Sequence, residues 1–326
     1  MPVITIIIPY YNTPVDSFNK CINSLNALVL KDYFEVLIID DGSTIPLDLT
    51  QYNPSFAWNI IRQEENKGPG AARQLGIVHS TTEYIMFLDA DDWFLHTHAL
   101  DEYKQKIERF YPDVLEPELA YLTPGGTSGH TTEAIWGCCY RKEFLVQNNI
   151  GFVELYYSED FLFKTLVEWH SPIKISIEDV SYGRGTLNTA SLTRADLSMA
   201  YFCEAAAIIY AVDFFTYYNL DISKVESVFI RAIKNIMNNN SGDEYYLFNI
   251  AALVYVVSCV QHKIPNVCTI VPIVKEQFHI SLLRELCTMV MQADAESQDA
   301  NPKMTEHITY AFDRAEQIYM EHNGHE

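Results

Sequence analysis

Near-continuous apolar runs recur along the first ninety residues, at Val3 to Pro9, Glu35 to Ile39 and Glu83 to Leu88, and the last two end directly in clustered aspartates. Runs that are apolar on successive residues, rather than on alternate ones, predict strands buried on both faces. Helical patterns lie between them. Thr13-Pro14 offers an N-cap followed by proline at the first helical position. Phe18, Cys21, Ile22 and Leu25 then fall on one face of a helix. Phe56 to Ile61 reads as a further strand, and Pro69 to His79 as a helix. Such strands, alternating with helices, predict an α/β fold with a mostly parallel sheet covered on both faces. Ligands bind these sheets beyond the carboxyl ends of the strands. Asp40-Asp41-Gly42-Ser43 and Asp89-Ala90-Asp91-Asp92 both stand there.

The middle of the chain is mixed. Leu119 to Thr123 reads as a strand, Pro124-Gly125-Gly126 to Gly129 as a loop, Arg141 to Asn148 and Asp160 to Trp169 as helices, and Ile173 to Ile177 as a strand. Beyond about Ala195 the pattern turns helical, with helices expected over Met199–Tyr218, Val225–Asn238, Tyr245–Val260 and Pro302–His322. That change of texture sets the expected domains at residues 1–195, α/β, and 196–326, helical. Tyr245 to Val260 contains Asn249 and falls short of the ~20 apolar residues a membrane span needs, so a buried core helix is expected. The N-terminal MPVITIIIPYYN has no basic leader or small-residue cleavage site, so a strand is expected there rather than a signal peptide.

About half of the 326 residues are hydrophobic, enough for a sizeable core. The formal net charge of −21, with no Lys/Arg-rich run, argues against gripping nucleic acid through its phosphates or adhering to anionic lipid. Seven cysteines without a CxxC pair give neither a disulfide framework nor a zinc site. Buried reduced thiols, and a cytoplasmic chain or one peripheral to a membrane or surface-polymer assembly, are expected instead.

The chemistry centres on the aspartates. Carboxylates crowded at a strand end repel one another unless a cation or solvent neutralises them. Mg²⁺ is often held by one or two carboxylates plus substrate phosphates, and the D-x-D spacing of Asp89 and Asp91 lets both approach one metal–diphosphate group. The plain alternative is a solvated acidic turn opening a helix at Trp93. Asp41 can accept hydrogen bonds from a nucleobase imide or ribose hydroxyl, or simply turn the chain at Gly42. Asn66-Lys67-Gly68-Pro69-Gly70-Ala71-Ala72-Arg73 opens a helix with backbone amides and two cations able to face phosphate. Its third glycine position holds Arg73, which argues against dinucleotide binding. Glu159-Asp160 offers a general base, or only a helix N-terminal cap. His96 and His98 read as surface-turn residues rather than ligands.

Together these segments resemble glycosyltransferase family 2. The set is Ile6-Ile7-Ile8-Pro9-Tyr10-Tyr11-Asn12, Val36 to Ser43, Asn66 to Gly76, Tyr84 to Asp92, Trp136-Gly137 to Tyr140-Arg141, and Glu159-Asp160, in that order. The resemblance covers roughly residues 1–195 and implies a GT-A fold. It implies that Pro9, Tyr11 and Asp41 line the donor's base and ribose, with Lys67 and Arg73 supporting that pocket. It makes Asp89 and Asp91 the DxD element on Mn²⁺ or Mg²⁺, and Asp160 the base, with Glu159 beside it. Gln74 stands where the family commonly has Asn, and Tyr182-Gly183-Arg184 aligns with a basic segment.

The implied reaction is inverting sugar transfer from a nucleotide-diphosphate sugar, UDP-sugar favoured, to an acceptor hydroxyl on a glycan or polymer. A nucleotidyltransferase and a noncatalytic nucleotide-sugar-binding module are the alternatives. The helical remainder is expected to serve acceptor binding, packing or homo-oligomer assembly.

Overall fold

Successive isoleucines in β1 (Ile4–Tyr10) point to opposite faces of a sheet, and both faces are covered. Ile4, Ile6 and Ile8 join one core with Phe18, Cys21, Ile22 and Leu25 of α1 (Val15–Ala27). On the other face, a Cβ built at Gly76 of α2 (Gly68–His79) would lie 2.4 Å from Ile7 Cγ2, so α2 sits tightly on β1. Truncating Phe18, fully buried in the first core, would cost about 3–5 kcal/mol.

This computed structural model describes residues 1–118, 121–122, 128–129, 135–152, 159–185 and short pieces within 207–228. The chain divides into two compact units, Met1–Glu154 with Leu166–Thr189, and Leu155–Thr165 with Ala190–Glu326. The first unit holds β1, α1, β2 (Phe34–Asp40), β3 (Ala57–Arg62), α2, β4 (Tyr84–Phe87), β5 (Trp93–Phe94) and α3 (Asp101–Phe110). It continues with β6 (Val114–Pro117), β7 (Tyr121–Leu122), β8 (Ser128–Gly129), β9 (Cys139–Arg141) and α4 (Lys142–Gln147). The chain then enters α5 (Glu159–Trp169), which begins in the second unit and ends in the first, before β10 (Lys174–Ile177) and β11 (Tyr182–Gly183).

Seven strands form one sheet in the order β10-β6-β9-β4-β1-β2-β3, and β5-β11-β7-β8 form a smaller one. The pairs β1–β2, β1–β4, β2–β3 and β6–β10 are parallel. Because β1 lies between β2 and β4 and runs parallel to both, the carboxyl ends of all three emerge on one edge.

β9 runs antiparallel to both β4 and β6, and the other four strand pairs are parallel, in keeping with a mostly parallel sheet. The structure corrects the sequence reading at other points. Thr13-Pro14 sits one residue earlier than expected: Pro14 occupies the N-cap position, without a side-chain cap bond, and Val15 is the first helical residue. Trp93 begins β5 rather than a helix. The strand expected over Leu119–Thr123 is the two-residue β7 of the smaller sheet.

Cys21, Cys138 and Cys139 are buried. His96 and His98 stand before α3, beside Asp179 and Asp101 respectively. No helix among the described residues is long and apolar enough to cross a membrane. The helices expected over Tyr245–Val260 and Pro302–His322, nearly all of that over Val225–Asn238, and residues 124–127 of the loop expected over Pro124 to Gly129 lie outside the described residues, while Ser128–Gly129 form β8 rather than loop. Of Met199–Tyr218, residues 207–208, 211–212 and 214–218 are described, and all of them but the turn residue Tyr218 are helical.

Candidate nucleotide-sugar site

The end of β2 builds the first half of the site. Asp40 and Asp41 are both buried, yet they differ in what they hold. Asp40 accepts the Ser43 N–H at 3.0 Å, the Leu47 N–H at 3.4 Å and Arg62 Nη1 at 2.5 Å. Burial alone would raise its pKa, but these bonds together hold it below the usual carboxylate range. Asp40 therefore ties down its own turn.

Asp41 accepts Gln63 Nε2 at 2.6 Å and the Lys67 backbone N–H at 2.8 Å, both on Oδ1. Desolvation pushes its pKa up to about 6, helped by the Asp40 charge and opposed by the N–H groups of Lys67 and Gly68 and by Gln63. Lys67 thus supports Asp41 with its main chain, while its Nζ lies 3.7 Å from Glu65 Oε1 and is partly exposed.

The loop after β1 is fastened to the same rim. Asn12, in the left-handed region at φ 44°, takes the Thr44 N–H on Oδ1 at 2.9 Å and donates its own N–H to Ser43 Oγ at 3.1 Å. The Asp41 N–H bonds the Tyr10 carbonyl at 2.8 Å. Pro9 is half-buried, and Tyr11 is exposed beside this rim.

The second half follows β4, two strand spacings away, or ~10 Å. Asp89 accepts Arg73 Nη2 on Oδ1 and Trp136 Nε1 on Oδ2, both at 2.8 Å. Arg73, on α2, is almost wholly buried and also lies over the Phe152 ring at 5.8 Å. Next to it, Gln74 Oε1 accepts the Phe152 N–H at 2.8 Å and so anchors α2 to that segment. Asp91 is half-buried. Asp92 is buried and accepts Tyr182 Oη and the Gly185 N–H, each at 2.6 Å. Desolvation, then the charges of Asp89 and Asp91, push the Asp92 pKa well up, and the Tyr182 and Gly185 bonds oppose them.

The structure therefore brings Pro9, Tyr11, Asp41, Lys67, Arg73, Asp89 and Asp91 to one edge of one sheet. Glu159 and Asp160 open α5 in the second unit, with Glu159 buried and Asp160 half-buried. Among the described residues, no three His, Cys, Asp or Glu side chains converge on one metal position.

Sequence reasoning missed the roles of Gln63, Asp92 and Tyr182, and of Trp136 as the partner of Asp89. Trp136 and Tyr182 meet the acidic turn from 47 and 93 residues away. The available signals were an isolated tryptophan before Gly137 and a tyrosine before a Gly-Arg-Gly triplet.

Residues 5–129 match the model of the Glycosyl transferase family 2. That segment is less than half of the chain, and it contains both acidic clusters. An uncharacterized glycosyltransferase of Rickettsia felis is 38% identical over 108 residues, 32% of this chain and 16% of that protein. The succinoglycan biosynthesis protein ExoW of Rhizobium meliloti is 36% identical over 120 residues, 35% of this chain and 36% of that protein. The matches thus span well under half the length of these relatives. S. aureus TarS 1-349 in complex with UDP-GlcNAc superposes with a TM-score of 0.52 at 18% identity, over 98% of this chain and 92% of that one. That likeness is one of fold, and it agrees with the GT-A-like α/β architecture described above.

Proposed function

We propose that this chain is an inverting glycosyltransferase that moves a sugar from a nucleotide-diphosphate donor to an acceptor hydroxyl. The observation that carries the proposal is the flanking of the β1 terminus by two differently fastened acidic turns, with the cationic Arg73 between sheet and helix. Asp41 would accept from the donor's base or ribose, and Pro9 and Tyr11 would line that end. Lys67 supports Asp41 through its N–H. Arg73 holds Asp89 beside the diphosphate. The complex of TarS with UDP-GlcNAc favours a UDP-sugar donor, and the succinoglycan name of ExoW favours a glycan or polymer acceptor.

The residues fit a divalent cation that takes most of its ligands from the substrate. Both oxygens of Asp92 are engaged by Tyr182 and Gly185, and those of Asp89 each carry one hydrogen bond. Asp91, with the remaining lone pairs of Asp89, would hold Mn²⁺ or Mg²⁺ together with the donor phosphates. Bound there, the ion would supply Lewis-acid neutralisation of charge on the leaving diphosphate. Asp160 would take the proton from the acceptor hydroxyl as its oxygen attacks the anomeric carbon, and Glu159 would stand beside it. Residues 196–326 would serve acceptor binding, packing or assembly.

Incubation with nucleotide sugars, Mn²⁺ and acceptor glycans tests this directly. Nucleoside diphosphate should appear together with glycosylated acceptor of inverted anomeric configuration. Asp160→Asn should lower turnover by ~10²–10⁴-fold without unfolding the protein. Release of pyrophosphate would show a nucleotidyl transfer instead. Donor binding without transfer to any acceptor would show a binding module.

A further inference from the structure

Asp92 is the buried aspartate of the second cluster and, like Asp89, has both oxygens on groups outside its own turn. Tyr182 Oη donates to Asp92 Oδ2 at 2.6 Å and accepts the Asp89 N–H at 3.3 Å, so a single hydroxyl bridges both ends of the turn. The Asp92 N–H closes that turn on the Asp89 carbonyl at 3.0 Å. The Gly185 N–H fills Asp92 Oδ1.

The segment that provides these partners packs its backbone closely against the turn. A Cβ at Gly185 would meet the Asp91 carbonyl oxygen at 2.5 Å, and one at Gly183 would meet Trp93 Nε1 at 2.4 Å. Only glycine allows the backbone to lie this close at both positions. Between the two glycines, Arg184 lies over the Trp136 ring at 4.6 Å, and Trp136 holds Asp89 from the other side.

We propose that Asp92 is a positioning residue rather than a metal ligand: with Tyr182 it pins the Asp89–Asp91 turn to the Tyr182–Gly185 segment and fixes where the Asp91 carboxylate stands. This rests on the reading of Asp91 as the cation-facing carboxylate. Groups that orient a ligand in this way are worth about 10- to 100-fold in metal affinity when removed. Tyr182→Phe keeps the ring and deletes only the bridge. Asp92→Asn keeps the shape and replaces one acceptor oxygen by a donor.

The test is electron paramagnetic resonance titration of Mn²⁺ into the full chain, with UDP, GDP, dTDP and CDP in turn, and thermal melts of every variant. Tyr84→Phe is the control. It loses a buried hydroxyl bond to the Pro112 carbonyl at the opposite end of β4. The expected result is nucleotide-dependent Mn²⁺ binding by the unaltered chain, weakened about 10- to 100-fold in Tyr182→Phe and Asp92→Asn and unchanged in Tyr84→Phe. The double variant should bind no worse than Asp92→Asn alone, because both remove one linkage. If Asp92→Asn fails to fold, Tyr182→Phe decides. Unaltered Mn²⁺ binding in the variants overturns this inference alone, as does equal weakening in Tyr84→Phe. Absence of Mn²⁺ binding by the unaltered chain with all four nucleotides overturns it together with the glycosyltransferase reading.

Discussion

The turns after β2 and β4 carry much the same acidic letters at the same edge of the same sheet, yet they divide their carboxylates differently. After β2, Asp40 is spent on its own turn and on Arg62, and Asp41 gathers Gln63 and the Lys67 N–H on Oδ1. After β4, Asp89 is held by side chains from α2 and from the loop before β9, and Asp92 is held by the segment around β11. Asp91 stands half-buried between them. The difference teaches that an acidic cluster is not a set of equivalent ligands. Buried carboxylates need donors, and those with protein donors build the loop that presents the others.

The largest effect should separate presenting from presented carboxylates. Asp91→Ala is expected to lower metal-dependent nucleoside diphosphate release by ~10²–10³-fold, as loss of a group that stabilises developing charge does. It should lower the melting temperature less than Asp40→Ala does, because the Asp91 charge disfavours ionised Asp92. Asp40→Ala should do the reverse. It strands the Ser43 N–H and Arg62, costs about 1–3 kcal/mol in denaturant unfolding and leaves the metal requirement intact. If both variants lose activity and stability alike, the division of roles fails.

Much of this was legible because β1, β2 and β4 are buried on both faces and must be apolar at nearly every residue. The helix face Phe18-Cys21-Ile22-Leu25 was equally plain, since a 3.6-residue period admits no other arrangement. β6 and β9 were not legible. Val114-Leu115-Glu116-Pro117 ends in a charge and a proline, and β9 is three residues long. Their pairing is set by neighbours far along the chain rather than by local propensity. The site divides in the same way. Asp41, Asp89 and Asp91 were visible as letters. That Lys67 acts through its N–H, and that Tyr182 and Trp136 hold the second turn, depends on contacts that no spacing rule encodes.

A smaller effect sharpens the comparison through pH. The Asp41 pKa is raised to about 6, above its unfolded value, so the folded state holds this proton more tightly. Its contribution to stability is then greatest below the unfolded value of roughly 4 and is lost as pH rises through about 6. Donor affinity should move the other way, weakening as pH falls from 7 to 5, because a protonated Asp41 accepts poorly. Asp41→Asn should flatten both profiles between pH 4 and 7 in calorimetric melts and nucleotide titrations. Profiles that persist in the variant would remove Asp41 from the donor pocket.

The smallest effect is expected for Lys67→Ala. Its side chain makes a partly exposed pair with Glu65, so stability should change by less than about 0.5 kcal/mol, and the midpoint near pH 6 should stay. A shift of that midpoint would show that the ammonium group, not the backbone N–H, sets the state of Asp41.

The most direct test is diffraction from crystals grown with Mn²⁺ and UDP, recorded at the manganese absorption edge. The expected result is one anomalous peak bridging the Asp91 carboxylate and the diphosphate, with the uridine lying toward Asp41. A manganese peak elsewhere in the chain, or a nucleotide bound away from the carboxyl edge of β1, β2 and β4, would contradict the account.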